Sequence, residues 1–266
     1  MKKTILNMSA VFLACSSSFG AVSINSASSS ITENFNSLIS SGSGTFSDNT
    51  TLNGWIVNSE ELDTDGDQYI ANDGGSTGGE VYSYGASSDL DRALGYLGSG
   101  GNDYFNAAYS LVNDTGATIT DLFVSYTGEQ WRLASSGNQN ILSFSYRIFA
   151  AESGSVPSSL SQTSWSAVNS LDFSAPQTAP QPGETAGKLN GNAAINQTSF
   201  SNISLGGITL DNGDEIWLRW SGNNGSGTDA GLAIDDVSIS VTAIPEPSSC
   251  VMLGLGAMAF LLYRRK

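Results

Sequence analysis

The side chains with the most chemistry to offer in this chain are carboxylates, so the first question is what they could hold. Glu61-Leu62-Asp63-Thr64-Asp65-Gly66-Asp67 sets acidic residues at alternate positions around a glycine. Calcium takes about six to eight oxygen ligands, and alternate loop residues around a Gly turn can supply them. Aligned as a helix-loop-helix calcium loop, Glu61, Asp63, Asp65 and Gly66 fall at positions one, three, five and six. Asn72 then stands at the twelfth position, where a bidentate glutamate is usual. The segment reads either as a structural calcium (Ca2+) site through Asp63, Asp65 and Asp67 or as a solvated acidic turn. A second candidate lies at the ends of the domain. Glu33 and the pair Asp235-Asp236 become neighbours if the first and last strands pair, and calcium there would pin both termini. The competing reading is a hydrogen-bonded turn or an exposed carboxylate pair.

Other residue types narrow the chemistry. The chain has no histidine, and its two cysteines, Cys15 and Cys250, sit at the two extremes. That excludes Ser-His-Asp triads, Cys-His pairs and histidine zinc sites. Glycoside hydrolysis remains open in principle, because it needs only two carboxylates at a suitable separation. Trp55, Trp131, Trp165, Trp217 and Trp220 are candidate platforms for sugar rings. Trp220 shares an apolar strand face and reads as core. Trp217 is on the opposite face with Arg219 and is the better ligand-binding candidate. Glu129 with Arg132, Asp91 with Arg92, and Arg219 suggest buried or partly buried ion pairs of structural role. Breaking one partner of such a pair costs roughly 3–5 kcal/mol.

These side chains must be positioned by strands. Leu142, Phe144, Tyr146 and Ile148 alternate with Ser143, Ser145 and Arg147, a period-two pattern with one apolar face. Leu122, Val124 and Tyr126 repeat it, as do Ile216, Leu218 and Trp220. The turn Asp211-Asn212-Gly213-Asp214 precedes the last run, and Asn-Gly between apolar runs predicts a hairpin. Leu232, Ile234, Val237, Ile239 and Val241 make a final strand whose phase shifts at Asp235-Asp236, which predicts a bulge. No stretch holds a helical period for three turns. Residues 183–191, after Pro180 and Pro182, read as a long surface loop. The pattern predicts one all-β domain at residues 22–243, an antiparallel β-sandwich of jelly-roll type.

The ends differ from this body. Lys2 and Lys3 precede an apolar stretch from Ile5 to Cys15, and Ser18-Phe19-Gly20 offers small residues for cleavage after Gly20 or Ala21. Residues 1–21 therefore read as a signal peptide. The body keeps 5 basic and 24 acidic residues, a net charge of −19. Such a balance disfavours nucleic acid, whose phosphates need Lys and Arg. With no cysteine in the body, an exported domain of this kind relies on its core, and on metal if any is bound. At the other end, Pro245-Glu246-Pro247 precedes an uncharged apolar run from Cys250 to Tyr263 and the basic end Arg264-Arg265-Lys266. As a helix the run would reach about 21 Å, short of a ~30 Å hydrocarbon core. A single transmembrane helix this short suits transient retention and removal; a permanent C-terminal anchor is the alternative reading.

The tail, residues 244–266, resembles the PEP-CTERM sorting signal of Gram-negative bacteria. The match rests on Pro245, Glu246, Pro247, the apolar helix, and Arg264 and Arg265. The resemblance implies recognition and processing by an exosortase, a membrane cysteine peptidase. It also implies passage through the inner membrane to the cell surface or extracellular matrix, in association with exopolysaccharide. In the body, Asp91-Arg92-Ala93-Leu94-Gly95, Tyr126-Thr127-Gly128-Glu129-Gln130-Trp131-Arg132, Leu189-Asn190-Gly191-Asn192 and Gly231-Leu232-Ala233-Ile234-Asp235-Asp236-Val237-Ser238 together resemble a module of bacterial exported proteins. The Ile-Asp-Asp-Val ending is similar to the last strand of carbohydrate-binding jelly rolls, which implies structural calcium held by acidic residues of the first and last strands. The expected function is a non-catalytic exported surface or matrix protein. A carbohydrate-binding module is the alternative, and a carboxylate-based glycoside hydrolase the third.

Overall fold

The computed structural model describes residues 20–244 apart from 27, 29, 61, 63–66, 136, 138, 152–159, 161–163 and 181–186. The expected signal peptide, the Pro-Glu-Pro triplet, the apolar run and the basic end lie outside the described residues. So do Glu61, Asp63 and Asp65 of the acidic loop.

Alternating apolar residues build two sheets that face each other. The seven-stranded sheet contains β1 (Val22–Ile24), β4 (Trp55–Ser59), β8 (Tyr104–Asn113), β10 (Ile141–Phe149), β11 (Ser166–Ala167), β12 (Phe173–Ser174) and β15 (Glu215–Asn223). Its order is β1-β8-β15-β10-β11, with β4 on β8 and β12 on β10. The nine-stranded sheet contains β2 (Ser30–Glu33), β3 (Ser43–Thr45), β5 (Gln68–Asn72), β6 (Val81–Tyr84), β7 (Ala93–Tyr96), β9 (Thr118–Leu133), β13 (Gly187–Lys188), β14 (Gln197–Ser204) and β16 (Gly231–Ile244). Its order is β13-β9-β16-β7-β6-β5-β3, with β14 on β9 and β2 on β16. The result is an all-β sandwich.

The core forms where the period-two runs place it. Leu122, Val124 and Tyr126 of β9 meet Leu142 and Phe144 of β10 and Ile216, Leu218 and Trp220 of β15, all buried. Trp220 is the hub: Trp55 stacks at 5.6 Å, and Tyr126 and Phe144 pack edge-on at 5.5 and 5.0 Å. Edge-to-face and offset pairs of this kind each add about 0.5–1.5 kcal/mol beyond area burial.

The first and last strands do pair. Glu33 lies opposite Val237 in the antiparallel β2–β16 ladder. The bulge expected at Asp235-Asp236 is also present: the β9–β16 register shifts between Asp235 and Ser238, and Asp236 has φ +49°. The extra residue lets Leu232 and Ile234 before it and Val237 and Ile239 after it all face the core.

Three local expectations are corrected. Residues 211–214 do form a turn, with Asp214 N–H donating to Asp211 at 3.0 Å, but they close no hairpin. The chain before the turn stays with β9, through β14 and the Ile119–Leu210 bridge, whereas β15 enters the opposite sheet between β8 and β10. Each run found a better apolar surface than the other could offer. The sheets are also not wholly antiparallel, since β1 runs parallel to β8 and β5 to β6. Finally, the loop expected at 183–191 contains strand β13, which pairs with Arg132 and Leu133.

Candidate ligand-binding cleft

Where the C-terminal ends of β7 and β9 meet the start of β16, the connecting loops leave a cleft of about 440 Å³. Its walls come from the turn after β7 (Leu97, Gly98, Ser99), the end of β9 (Arg132, Leu133, Ser135) and the approach to β16 (Thr228, Asp229). Three of the four segments that carry the body's family resemblance lead directly into it. The volume falls within the usual range for small-molecule sites, about 300–1,000 Å³.

Buried hydrogen bonds set the loops. Asp229 is 4% exposed. Its Oδ1 accepts from Asn140 Nδ2 at 2.7 Å and its Oδ2 from Gly225 N–H at 2.9 Å. Asn140 Oδ1 in turn accepts from Ala230 N–H at 2.8 Å. Ser135 N–H donates to Thr228 Oγ1 at 2.8 Å, which ties the β9–β10 loop to the β15–β16 loop. A fully satisfied polar network in a low-dielectric setting holds one geometry. Arg132 crosses the rim and donates from Nη1 to the carbonyls of Gly74 and Gly75 at 3.0 and 3.3 Å. Asp229, Asn140, Ser135 and Thr228 were not singled out in the sequence. Their one linear signal is that Thr228-Asp229 directly precedes the Gly231 segment.

Beside the cleft, on the outer face of the nine-stranded sheet, the resemblance segments bring carboxylates together. Glu129 of β9 and Asp235 of β16 lie on adjacent strands, with Ala233 opposite Glu129. Glu129 is 2% exposed and Asp235 is 5% exposed. Glu129 accepts from Trp131 Nε1 at 2.8 Å and from Gln197 Nε2 at 2.9 Å. Burial pushes its carboxyl up to about 6 despite those bonds. Burial, and then the charge of Glu129, push Asp235 up to about 8. Asp91 stands near both and accepts from Asn192 Nδ2 at 2.6 Å. Perturbed carboxyls cluster at functional sites, and structural networks perturb them too. Here both acids are buried, and each oxygen of Glu129 already holds an N–H.

Glu33 Oε1 accepts from Phe35 N–H at 2.8 Å, Asp235 Oδ1 accepts from Asp236 N–H at 2.7 Å, and Asp236 is exposed. Asp67 is described, at φ +63°, but its partners Asp63 and Asp65 are not. Among the described residues no group of three acidic side chains is placed to hold a metal ion.

Trp217 does lie on the outer face of its sheet, yet it is 0% exposed. Phe149, Leu160 and Ala108 cover it, and its Nε1 donates to Glu215 at 3.1 Å. No ring face is left for a sugar. The expected arginine ion pairs are also corrected. Arg92 donates to the carbonyl and hydroxyl of Ser83 and to Ala86 O, and Arg219 to Ser145 Oγ and Leu160 O. Arg219 also lies 4.1 Å over the Trp165 ring. The hydrogen bonds of these two guanidinium groups go to neutral oxygens, and Arg219 adds a π face. Among the described residues the one salt bridge is Lys188–Asp73, at 2.5 Å.

Comparison with known proteins adds the following. No curated protein matches the chain. Among solved structures, the CBM22-1 xylan-binding domain of Xyn10C from Paenibacillus barcinonensis is 11% identical, covering 81% of this chain and 95% of that one at a TM-score of 0.35. The K3 cleaved adhesin domain of Lys-gingipain from Porphyromonas gingivalis is 15% identical, covering 74% and 98% at 0.34. The family 11 carbohydrate-binding module from Clostridium thermocellum is 11% identical, covering 77% and 99% at 0.28. All three TM-scores are low, and none of these likenesses carries a function to this chain. The tail is different. Residues 243–266 match the PEP-CTERM protein-sorting motif, and the chain is that of an exported protein, held at the membrane and then processed.

Proposed function

We propose that residues 22–243 act as a non-catalytic module, which exosortase processing delivers to the cell surface or extracellular matrix, and that the module associates there with exopolysaccharide. The observation that carries the binding part is the cleft. It has an apolar floor in Leu97 and Leu133 and a rim of Arg132, Thr77, Ser99 and Thr228, on loops fixed by the Asp229–Asn140 network. Hydroxyl-rich walls around a small apolar floor suit a sugar, whose ring carries polar edges and apolar faces. The carbohydrate-binding reading and the surface-protein reading then become one function at two scales.

The non-catalytic part rests on residue chemistry. The body lacks histidine and cysteine. The cleft carboxylate, Asp229, has both oxygens occupied by internal donors. The Glu129–Asp235 pair is buried. The sorting part fits the position of the motif. Strand β16 ends at Ile244, so removal of the tail beyond Pro245-Glu246-Pro247 would leave every described strand in place.

A glycan array and a hydrolysis screen on the purified chain test the reading. Binding to at least one glycan, weakened tenfold or more by Thr228→Trp in the cleft, with no release of reducing ends, is the expected result. Release of sugar would instead establish a hydrolase. Intact-mass measurement of surface-extracted protein should find the tail missing. A stable surface form ending at Lys266 would refute the processing step.

A further inference from the structure

A second cavity, of about 240 Å³, lies at the opposite end of β6 and β7 from the cleft. Ser40, Ser41, Asn72, Ser87, Ser88 and Arg92 line it, together with Asp73. Arg92 is 2% exposed, so its charge is almost fully withdrawn from water. Its Nε donates to Ser83 Oγ, its Nη2 to Ser83 O and its Nη1 to Ala86 O. A guanidinium has five N–H donors and no acceptor. Two donors are therefore left without a protein acceptor among the described residues, on a side chain that lines a cavity. Leaving a buried donor unmet is costly, and more so for a charged group.

The rest of the lining also donates. The hydroxyls of Ser40, Ser41, Ser87 and Ser88 have no hydrogen-bond partner among the described residues. Asn72 uses its Oδ1 internally, accepting from Gly74 and Ser76 N–H at 2.7 and 3.4 Å, which leaves its amide donors. The one carboxylate in the lining, Asp73, pairs with Lys188 at 2.5 Å, which holds its carboxyl below the usual range, and Asp89, Asp91 and Asp73 are the acids whose charge reaches Arg92. An excess of donors around a buried guanidinium fits a planar, two-oxygen acceptor, which Arg binds with paired N–H bonds.

We propose that this cavity binds the carboxylate of an acidic sugar, a uronate unit of a polysaccharide. The carboxylate part stands on the cavity alone; the sugar part rests on the polysaccharide reading above. The body's net charge of −19 opposes a polyanion at long range, whereas the contact with Arg92 is short and buried. Added salt screens the first more than the second. Binding should therefore hold or strengthen between low and physiological salt, the reverse of an exposed basic patch.

Calorimetric titration of the full chain in detergent with an oligogalacturonate, its methyl ester and acetate reads the proposal. The acid should bind at least tenfold tighter than the ester. Ser87→Glu, an exposed lining position, should abolish binding with an unchanged melting temperature, and Arg92→Lys should weaken it tenfold or more. Equal binding of acid and ester, or binding that survives Ser87→Glu, would overturn the site. Acetate binding as tightly as the oligomer would overturn the sugar. A chain that binds neutral glycans in the cleft and ignores uronates would overturn this inference and leave the proposed function standing.

Discussion

Trp131 and Trp217 lie on the outer faces of opposite sheets and use the same local device, yet they end in different environments. Trp131 Nε1 donates to Glu129 at 2.8 Å, and Trp217 Nε1 donates to Glu215 at 3.1 Å. In each case the acid precedes the indole by two residues, so the strand puts both on one face. Backbone helps to seal the first pair, together with Tyr84, which stacks on the Trp131 indole at 5.9 Å. A Cβ at Gly74 would lie 1.9 Å from the Trp131 carbonyl oxygen, and one at Gly191 would lie 2.2 Å from the indole ring. Side chains seal the second, with Phe149 edge-on at 6.2 Å and Leu160 beside it. Glu129 is buried, whereas Glu215 stays half-exposed. One motif of acid and indole thus holds a buried acid on one sheet and a half-exposed one on the other. What covers the pair decides its electrostatics.

The largest effect should come from breaking the backbone seal. Gly74 has φ +86° in addition to its close approach. Gly74→Ala is expected to cost more than about 3 kcal/mol, because strain and overlap add and a carbonyl cannot swing aside. Leu160→Ala on the other face should cost about 2–3 kcal/mol, since a side-chain seal leaves a cavity that partly collapses. Urea unfolding followed by tryptophan fluorescence compares them. Equal costs would erase the distinction between the two covers.

The next effect is electrostatic. Asp235 is raised from its ordinary 3.8 to about 8, and Glu129 from 4.5 to about 6, so the folded chain holds more protons than the unfolded chain in those windows. Stability must then fall as pH rises from about 4 to about 8 and level off above that. Asp235→Asn keeps an oxygen for the Asp236 N–H and removes the charge. It should gain on the order of 3 kcal/mol near pH 8 and almost nothing near pH 4. A gain for Asp235→Asn that is the same at both pH values would show that its charge is not what the fold resists.

The smallest effect concerns calcium, proposed for the loop of Asp63, Asp65 and Asp67 rather than for the terminal strands. Thermal melts should rise by about 1.4 kcal/mol in stability at roughly tenfold excess over Kd, relative to chelator. The rise should persist in Asp236→Ala, whose side chain is exposed beside a bulge, and vanish in Asp65→Ala. Identical curves with calcium and with chelator would reject both locations.

Much of the sandwich was legible because strand alternation is a local property. Leu122, Val124 and Tyr126, or Ile216, Leu218 and Trp220, can face only one way once a strand forms, and apolar burial chooses the way. The slip of phase at Asp235-Asp236 had to be absorbed by an extra residue, so the bulge was legible too. That 211–214 would close no hairpin was not legible, because turn chemistry fixes a change of direction and leaves the partner of the next strand to packing between distant segments.

The sequence by itself determined the all-β class, the core faces and the tail, since a sorting motif is read along the chain and needs no fold around it. Only the tertiary structure decided that Trp217 is covered, that the arginines rest on carbonyls and not on carboxylates, and that Glu129 meets Asp235. It alone assembled the cleft, where Leu97, Arg132 and Asp229 arrive from the turn after β7, the end of β9 and the approach to β16. The physical reason is the same in each case. A strand's inner face is set by its own period, whereas its outer face and its ends are set by whichever loops, distant in sequence, come to lie over them.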